Sequence, residues 1–318
     1  MQQTESFTSG LREENMVSIP PLVGEWVFEG ESKTYAAPIC CGWDHQHWRS
    51  NKVCGEPRQS FEMYQGSKDN KAQVGGCTCS TFTDKYTWKS DQLPTLDPYE
   101  TCRLLGNRTV LMIGDSTMQQ TTATLMNALF PVGCQSQIVA GVSDTLIGKP
   151  LAGKRNRGLP WLEHVNRTQP SPDIVILTAG AHIYSEYNFT LVLESVVEGT
   201  KRLKDFLPSI LVPWKTQQPG GYSLDIPTRQ DPVKAATVFD WSMTPNRYQH
   251  GTFYSRDLQV FRTLPAEGIP VIDMRMLYSR SDAKVGSLKD RNECLHFCVP
   301  GPLDVFAASF QKQLQDGI

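Results

Sequence analysis

Two short segments, far apart in the chain, carry residue types that together can perform nucleophilic catalysis. The tripeptide 114–116 reads Gly-Asp-Ser, and Glu293 and His296 stand near the C-terminus. A serine hydroxyl becomes a nucleophile when a base removes its proton, and imidazole titrates close to neutral pH. A carboxylate three residues before that histidine could accept a hydrogen bond from the ring and fix its tautomer. The pattern predicts Ser116 as nucleophile, His296 as general base and Glu293 as the partner of His296.

The same residues also have purely structural interpretations, which the spacing alone leaves open. A serine at the start of a helix often caps that helix, and an isolated Gly-Asp-Ser tripeptide is a weak signal. Asp115 could be a turn residue. His296 could be a core histidine, with Glu293 on the surface, in a loop held by two flanking cysteines, Cys294 and Cys298.

Alternating strands and helices are predicted around these residues. Apolar runs predict buried strands over 109–113, 173–178, 210–212 and 271–274, with a further strand-like segment over 137–140. Helical patterns cover 117–130, 191–207, 257–264 and 303–314. This alternation predicts a doubly wound α/β fold with a mostly parallel sheet. Functional residues of such sheets gather at the carboxyl ends of the strands, which is where the sequence places Ser116.

Two other strand ends supply candidates for stabilising an oxyanion. The hydroxyl of Thr178 could donate a hydrogen bond there, and the small residue Gly180 would let a substrate approach the backbone. Gly141, after the strand-like segment, could contribute a backbone donor, as could the N–H groups at the start of the helix that carries Ser116. The alternative is a tight strand-to-loop turn in which His182 is simply packed.

Composition narrows the possible partners and raises a question about the compartment. The chain has 318 residues and a formal net charge of -2, which disfavours nucleic acid as a partner. No stretch reaches the roughly 20 apolar residues of a membrane helix. The segment 1–16 is polar and lacks the apolar core of a signal peptide, which by itself favours a cytosolic protein.

The nine cysteines favour the opposite compartment. Most of them lie in the loop-rich first third of the chain, a distribution typical of proteins from oxidising compartments. Three Asn-x-Thr sequons, at Asn107, Asn166 and Asn188, are compatible with the same route. We therefore expect a secretory-pathway protein, in the Golgi lumen or outside the cell, whose targeting segment is missing from this sequence.

Changes in composition divide the chain into three predicted parts. Residues 1–18 are polar and are expected to be disordered, and residues 19–98 form a loop-rich lobe that needs disulfide staples. Residues 99–318 form the catalytic domain. A zinc site in the lobe is the alternative use of its cysteines and histidines, but the spacing fits no standard finger pattern; the residues are Cys40, Cys41, His45, His47 and Cys54. We expect no metal and no other cofactor.

Taken together, the motifs resemble the PC-esterase branch of the SGNH/GDSL hydrolases, which includes the trichome-birefringence-like polysaccharide O-acetyltransferases. The resemblance runs from about residue 23 to 314. Segments 24–28, 110–119, 173–182 and 212–220 resemble successive blocks of that family, and 293–301 is similar to its Asp-Cys-x-His-x-Cys-x-Pro-Gly block. Lys215 stands at the Arg of an Arg-Thr pair, and Thr178 at an oxyanion-hole Asn.

The resemblance implies a fold, an activity and a set of roles. The fold would be a three-layer α/β/α sandwich, SGNH-hydrolase-like, with a disulfide-rich and loop-rich N-terminal lobe. The activity would be O-acetyl transfer to a carbohydrate, or removal of an acetyl ester from one, through an acyl-Ser116 intermediate. Glu293 takes the place of the family's Asp beside His296. Asp115, His182 and Lys215 would support the site from behind.

Two further hypotheses belong to other classes. The departures at Glu293 and Thr178 are compatible with a weak or inactive member of the family that binds glycans in its groove. The absent signal peptide is compatible with a cytosolic, thiol-rich esterase. The expected partners under the main hypothesis are a carbohydrate acceptor and an acetyl donor; the residues do not distinguish a transferase from a hydrolase.

Overall fold

The computed structural model describes residues 22–30, 77–78, 85–148, 158–218, 250–280, 286–287, 297 and 301–317. The expected base His296 and its partner Glu293 lie outside these residues, as do Cys294 and Cys298. The alternative zinc site, the segment 1–18 and most of the predicted lobe over 19–98 also lie outside them. The three-part division of the chain therefore stays a prediction.

Strands and helices alternate along the described chain as the sequence predicts. The strands are β1 (Glu25–Phe28), β2 (Cys77–Thr78), β3 (Tyr86–Lys89), β4 (Thr109–Gly114), β5 (Gln137–Val142), β6 (Ile174–Leu177), β7 (Trp214–Lys215), β8 (Val271–Ile272) and β9 (Gly286–Ser287). The α-helices are α1 (Pro98–Leu105), α2 (Ser116–Leu129), α3 (Pro160–Arg167), α4 (Glu186–Phe206), α5 (Phe253–Thr263) and α6 (Asp304–Gln315).

Five strands form the central sheet in the order β5-β4-β6-β7-β8, and every neighbouring pair is parallel. The chain starts in β4, moves outward to β5, and then crosses back to β6 on the other side of β4. This reversal makes the carboxyl ends of β4 and β6 the topological switch point, where ligands bind in open α/β sheets. The predicted mostly parallel sheet is confirmed.

Helices cover both faces of this sheet and create two hydrophobic cores. Val110 and Met112 of β4 pack with α1, α2 and α6, whereas Leu111 and Ile113 pack with α3, α4 and α5. Alternate residues of a strand point to opposite faces, so a buried central strand needs apolar residues at every position. The result is the expected three-layer α/β/α sandwich.

The first described residues pack against the first of these cores. Strands β1 and β3 pair antiparallel, and Trp26 of β1 donates a hydrogen bond from Nε1 to the carbonyl of Met276 (3.2 Å). A disulfide between Cys102 and Cys134 joins α1 to the segment before β5. Across the described ranges, none of the helices combines the length and the apolar character that crossing a membrane requires.

Candidate active site

Ser116 is the first residue of α2, directly after the carboxyl end of β4. The cap of this helix is Asp115, whose Oδ1 accepts hydrogen bonds from the backbone N–H of Thr117 (2.9 Å) and from its hydroxyl (2.6 Å). The alternative in which Ser116 caps the helix is therefore wrong. Because Asp115 performs that task, the Ser116 side chain is not needed for capping.

Solvent reaches this part of the chain at Ser116. Every residue from 109 to 127 is buried except Ser116, which is partly exposed. Its backbone lies in the first turn of a 14-residue helix, where the helix dipole is positive. A negative charge that developed on or beside the Ser116 oxygen would be stabilised there.

The turn that presents Ser116 requires glycine at position 114. A Cβ on Gly114 would lie 2.7 Å from Cγ2 of Thr178 and 2.8 Å from Cβ of Met118, closer than carbon atoms can approach. The strand-to-helix turn is thus pressed against the carboxyl end of β6. The glycine of the Gly-Asp-Ser motif serves this packing.

Thr178, the predicted oxyanion donor, uses its hydroxyl inside the fold. Its Oγ1 donates to the carbonyl of Lys215 (2.8 Å) and accepts from Nε2 of Gln217 (3.2 Å). A hydroxyl has one proton, so donation to an oxyanion would require the bond to Lys215 to break. Gly141 lies inside β5, paired with Ile113, and its role as a backbone donor stays a prediction.

Gly180 gives room to a buried glutamine. A Cβ at this position would lie 2.3 Å from Cδ of Gln217, whose amide also bonds the carbonyl of Ala179. The carbonyl of Gly180 accepts hydrogen bonds from the N–H of Ile183 (3.0 Å) and from Nη1 of Arg256 (3.3 Å). The loop after β6 is therefore held from several sides, and packing accounts for the small residue at its start.

A cluster of buried ionisable groups lies behind these strand ends. Lys215 is fully buried and donates to the carbonyl of Thr216 (3.2 Å). Burial lowers the pKa of Lys215 to about 8, although the nearby charges of Asp115 and Asp257 act to raise it. Oδ2 of Asp115 is buried and has no hydrogen-bond partner among the described residues. The nearby positive charge of Lys215 stabilises the negative charge of this carboxylate.

Asp257 completes this cluster from helix α5. Its carboxylate accepts hydrogen bonds from the backbone N–H of Gln217 (2.9 Å) and from the hydroxyl of Tyr278 (3.1 Å). Burial raises the pKa of Asp257 to about 8, against the lowering effect of the bond from Gln217. Burial and the Asp257 charge also raise the pKa of Tyr278 well above its usual value.

The helix that presents Ser116 also binds the backbone of Phe297. The buried side chain of Gln120, one helical turn after Ser116, accepts from the N–H of Phe297 (3.0 Å) and donates to its carbonyl. Because residues four apart lie on one face of a helix, Gln120 and Ser116 project from the same side of α2. Phe297 is fully buried in the core under α2 and directly follows His296 in the chain.

His182 lies in the loop after β6 and faces the loop after β5. Its Nε2 is 4.0 Å from Oδ1 of Asp144, and 30% of its side chain is exposed. Since β4 lies between β5 and β6, this pair joins the two loops that flank the end of β4. His182 therefore lies in a loop beside the end of β4, paired with an acid that the motifs did not indicate, and its role in the site stays a prediction.

Several residues of this site could not be found from the sequence. Gln120 and Phe297 are 177 residues apart, and nothing in the local patterns pairs them. Gln217 and Asp257 bond across 40 residues in the same way. The available signal was weak: Gln120 follows Ser116 by one helical turn in a predicted helix. No group of three or more potential metal ligands occurs within the ranges that the structure describes.

Comparisons with known proteins give a limited result. No protein-family model matches the chain, and neither does any curated protein sequence. Among solved structures, the periplasmic domain of a lipopolysaccharide acetyltransferase from Salmonella ser. Paratyphi A is similar, with a TM-score of 0.41, 16% identity, and coverage of 66% of this chain and 83% of that one.

Two carbohydrate-active enzymes are also similar in structure. A carbohydrate acetylesterase family member from Sinorhizobium meliloti has a TM-score of 0.36 and 12% identity, covering 66% of this chain and 96% of that one. A carbohydrate esterase family 2 enzyme with its carbohydrate binding domain, from Corynascus thermopiles, has a TM-score of 0.35 and 14% identity, covering 73% and 69%. At these identities and scores, the likeness does not decide the reaction of this chain.

Proposed function

We propose that this protein is a serine-dependent O-acyltransferase or esterase of the SGNH type that transfers or removes acetyl groups on carbohydrates. The single observation that carries the proposal is the placement of Ser116. It is the one partly exposed residue between positions 109 and 127 of a strand–turn–helix unit, at the switch point of a parallel sheet. Asp115 caps the helix, so capping does not require the serine side chain.

In the proposed reaction, Oγ of Ser116 attacks the carbonyl carbon of an acetyl ester while His296 accepts the hydroxyl proton. The ester C–O bond breaks, the leaving alcohol takes that proton, and acetyl-Ser116 is formed. A sugar hydroxyl or a water molecule then attacks the acyl carbon, and the proton returns by the same route. The products are an acetylated sugar or free acetate, together with the regenerated serine.

His296 is assigned as the base and Glu293 as its partner on the sequence pattern. The position of Phe297 supports this assignment, because its backbone is bound to Gln120 on the Ser116 face of α2 and it is the chain neighbour of His296. For the oxyanion, the proposal relies on the positive dipole at the start of α2, because the N–H groups of Thr117, Met118 and Gln119 already donate to Asp115.

The finer parts of the proposal rest on the motifs and on one structural feature. The residue blocks favour the PC-esterase branch, with carbohydrate as acceptor and an acetyl ester as donor. A location in the secretory pathway is favoured by the density of cysteines and by the Cys102–Cys134 disulfide, since disulfides persist in oxidising compartments.

Turnover of 4-nitrophenyl acetate and of acetylated xylo-oligosaccharides tests the proposal. Ser116→Ala is expected to reduce both activities by roughly 10⁴-fold or more, because the residues of a catalytic triad act as a unit. Glu293→Gln is expected to reduce them by more than about tenfold, since the orientation of His296 would be lost. The matched control is Ser255→Ala, which changes a serine in the first turn of α5 and should leave both rates unchanged.

A different result would favour another function. If wild-type protein shows no turnover, and a fluorophosphonate probe labels neither Ser116 nor any other serine, the chain is not a serine esterase and the glycan-binding alternative gains support. If Ser116→Ala keeps the wild-type rate, the nucleophile is wrongly assigned.

A further inference from the structure

Three exposed tyrosines stand at the carboxyl edge of the sheet. The exposed fractions are 59% for Tyr184, 70% for Tyr187 and 49% for Tyr254. Tyr184 and Tyr187 flank the start of α4, which follows β6, and Tyr254 lies in the first turn of α5. The C-terminal end of α5 leads into the amino end of β8, so the start of α5 is at the opposite, carboxyl edge.

We propose that Tyr184, Tyr187 and Tyr254, called here the tyrosine surface, form a binding platform for the oligosaccharide part of the substrate. This inference rests on the proposed function for the reaction at Ser116. It goes further by naming the residues that recognise the glycan and the direction in which the sugar chain extends, from β4 over β6 toward α5.

A buried cation holds the parts of the tyrosine surface together. Arg256 of α5 has no exposed side-chain area, and its Nε lies 3.0 Å from Oε1 of Glu186 at the start of α4. Its Nη1 donates to the carbonyl of Gly180 (3.3 Å), and its guanidinium lies 5.3 Å from the centre of the Phe189 ring. Arg256 thus ties the first turns of α4 and α5 to the loop that follows β6.

The backbone on either side of Tyr184 is fixed. Ile183 is buried and its N–H bonds to the carbonyl of Gly180, while Ser185 caps α4 by accepting from the N–H of Asn188 (3.1 Å). The exposed side chain of Tyr184 therefore stands between two anchored neighbours, which give it a rigid support. Preorganisation of this kind reduces the entropy that binding costs.

Tyr254 is supported by a second ring. The rings of Tyr254 and Tyr278 meet edge to face with centres 5.5 Å apart, and the hydroxyl of Tyr278 donates to Asp257. This geometry is the favourable one for aromatic pairs. The chain of contacts connects the tyrosine surface to the buried cluster behind Ser116.

The chemistry of this surface suits a carbohydrate. A tyrosine combines an apolar ring face with a hydroxyl, and it loses little conformational entropy on binding because it has only two side-chain torsions. Sugar rings present C–H groups on their faces and hydroxyls at their edges. His182, in the loop after β6, pairs with Asp144 across the end of β4, and this imidazole and carboxylate can bond hydroxyl groups.

Single exposed aromatic residues are common on protein surfaces and need no function. Here three tyrosines are gathered on two segments that one buried arginine joins, at the edge that carries the candidate nucleophile. Tyr99, on α1, is 71% exposed and offers a comparison outside this group. The N–H of Asp97, two residues before Tyr99, donates to the side chain of Gln311 in α6. The C-terminal end of α6 lies by the amino end of β8, because Gln313 donates to the carbonyl of Val271.

Binding of oligosaccharides to inactive protein tests this proposal. In the Ser116→Ala background, isothermal titration calorimetry would compare acetylated xylo-, cello- and manno-oligosaccharides with the acetylated monosaccharides. We expect at least one oligosaccharide to bind more tightly than its monosaccharide. The paired substitution Tyr187→Ala and Tyr254→Ala should weaken its binding by about tenfold, the effect of losing two contacts of the strength of an aromatic pair.

Two further variants make the result specific. The pair Tyr187→Phe and Tyr254→Phe keeps the ring faces and should bind within about threefold of the parent. Tyr99→Ala should bind like the parent. Circular dichroism would show that each variant is folded.

The outcomes that overturn the proposal are distinct from those that overturn the proposed function. The platform is wrong if no oligosaccharide of the panel binds, if the Ala pair binds like the parent, or if the Phe pair loses as much affinity as the Ala pair. In each of these cases, loss of ester turnover in Ser116→Ala would still support the proposed function. Wild-type turnover in Ser116→Ala would instead reject the nucleophile and leave the binding result standing.

Discussion

Two helices on opposite faces of the sheet begin at its carboxyl edge, and their first turns differ in almost every respect. Helix α2 is capped by the buried Asp115, and in its first turn only Ser116 is partly exposed. Helix α4 is capped by Ser185 and exposes Tyr184 and Tyr187. A capped helix start thus presents one candidate nucleophile in α2, whereas the start of α4 presents two exposed tyrosines.

Under the proposed function, this difference predicts that chemistry and recognition can be separated by substitution. The start of α2 depends on buried polar contacts, in which small displacements are costly because every group is packed. The start of α4 faces solvent and depends on the Arg256–Glu186 ion pair for its position. Changes behind α2 should therefore affect the rate of the chemical step, whereas changes on the tyrosine surface should affect the binding of substrate.

Gln120→Leu gives the largest expected effect on the α2 side. It removes both hydrogen bonds to the backbone of Phe297, so the segment next to His296 would lose its attachment to the helix of Ser116. Misplacement of a catalytic group by about 1 Å can lower a rate by about 10²-fold, and we expect a fall in kcat of that order. Ester turnover and oligosaccharide binding would be measured on the same preparation.

The matched control is Gln119→Leu, the same chemical change at the preceding, also buried position of α2. It should leave kcat within a few-fold of wild type. In a His296→Ala background, Gln120→Leu should have little further effect, because a positioning residue acts through the group that it positions. Equal losses in the presence and absence of His296 would show that Gln120 has only a general structural role.

Gly180→Ala tests the segment that joins the two regions. The new methyl group would meet the buried amide of Gln217, which is bonded to Thr178 and Ala179 and cannot easily move. Overpacking of this kind costs about 1–3 kcal/mol of unfolding free energy. Guanidinium denaturation followed by tryptophan fluorescence would measure the change.

Gly158→Ala is the control for that substitution, because a Cβ at Gly158 meets no atom within 4 Å and its φ is not in the left-handed region. The control should change the unfolding free energy by less than about 0.5 kcal/mol, as most surface substitutions do. Equal stabilities of the two variants would show that Gln217 can yield, and that the loop after β6 is less firmly held than its contacts indicate.

The smallest expected effect concerns the pH dependence of stability. The pKa of Asp257 is raised to about 8 in the folded protein by burial, from an ordinary value of 3.8. Between these two values the folded state holds a proton that the unfolded state has released, so this group's contribution to stability is lost as the pH rises from about 4 to about 8. Asp257→Asn removes that contribution.

The unfolding free energy of wild type minus that of Asp257→Asn should therefore decrease across this pH window. Denaturation of both proteins at several pH values would measure the difference. Asp205→Asn, at an exposed carboxylate on α4, is the control. A difference that increased with pH would show that Asp257 is ionised in the folded state and paired with Lys215.

The strand–turn–helix unit around Ser116 could be predicted closely from the sequence. An apolar run over 109–113 and a helical pattern over 117–130 became β4 (Thr109–Gly114) and α2 (Ser116–Leu129). The alternative of Ser116 as the cap is wrong: aspartate and serine are both good caps, and only the structure shows which side chain turns back. Local patterns thus predicted the start of this helix within one residue of Ser116.

Elements that depend on distant contacts were harder to predict. The strand expected over 210–212 is β7 (Trp214–Lys215), although Leu211 also pairs with β6. Pro213 lies between them; its carbonyl accepts from Leu177, but it has no N–H to donate, so the ladder is interrupted. Helix α4 begins at Glu186, five residues before the expected start at Leu191, because Ser185 caps it. The contacts of Gln120 with Phe297, and of Gln217 with Thr178 and Asp257, join residues 39 or more positions apart, for which a single sequence carries no signal.

The central claim is that an acyl group is carried by Ser116, and trapping that intermediate tests it most directly. Protein incubated with 4-nitrophenyl acetate would be quenched in acid within seconds, weighed intact, and mapped by peptide mass spectrometry. We predict the mass of one added acetyl group, located on Ser116 and absent from Ser116→Ala. An acetyl group on another residue, or equal labelling of wild type and Ser116→Ala, would contradict the account.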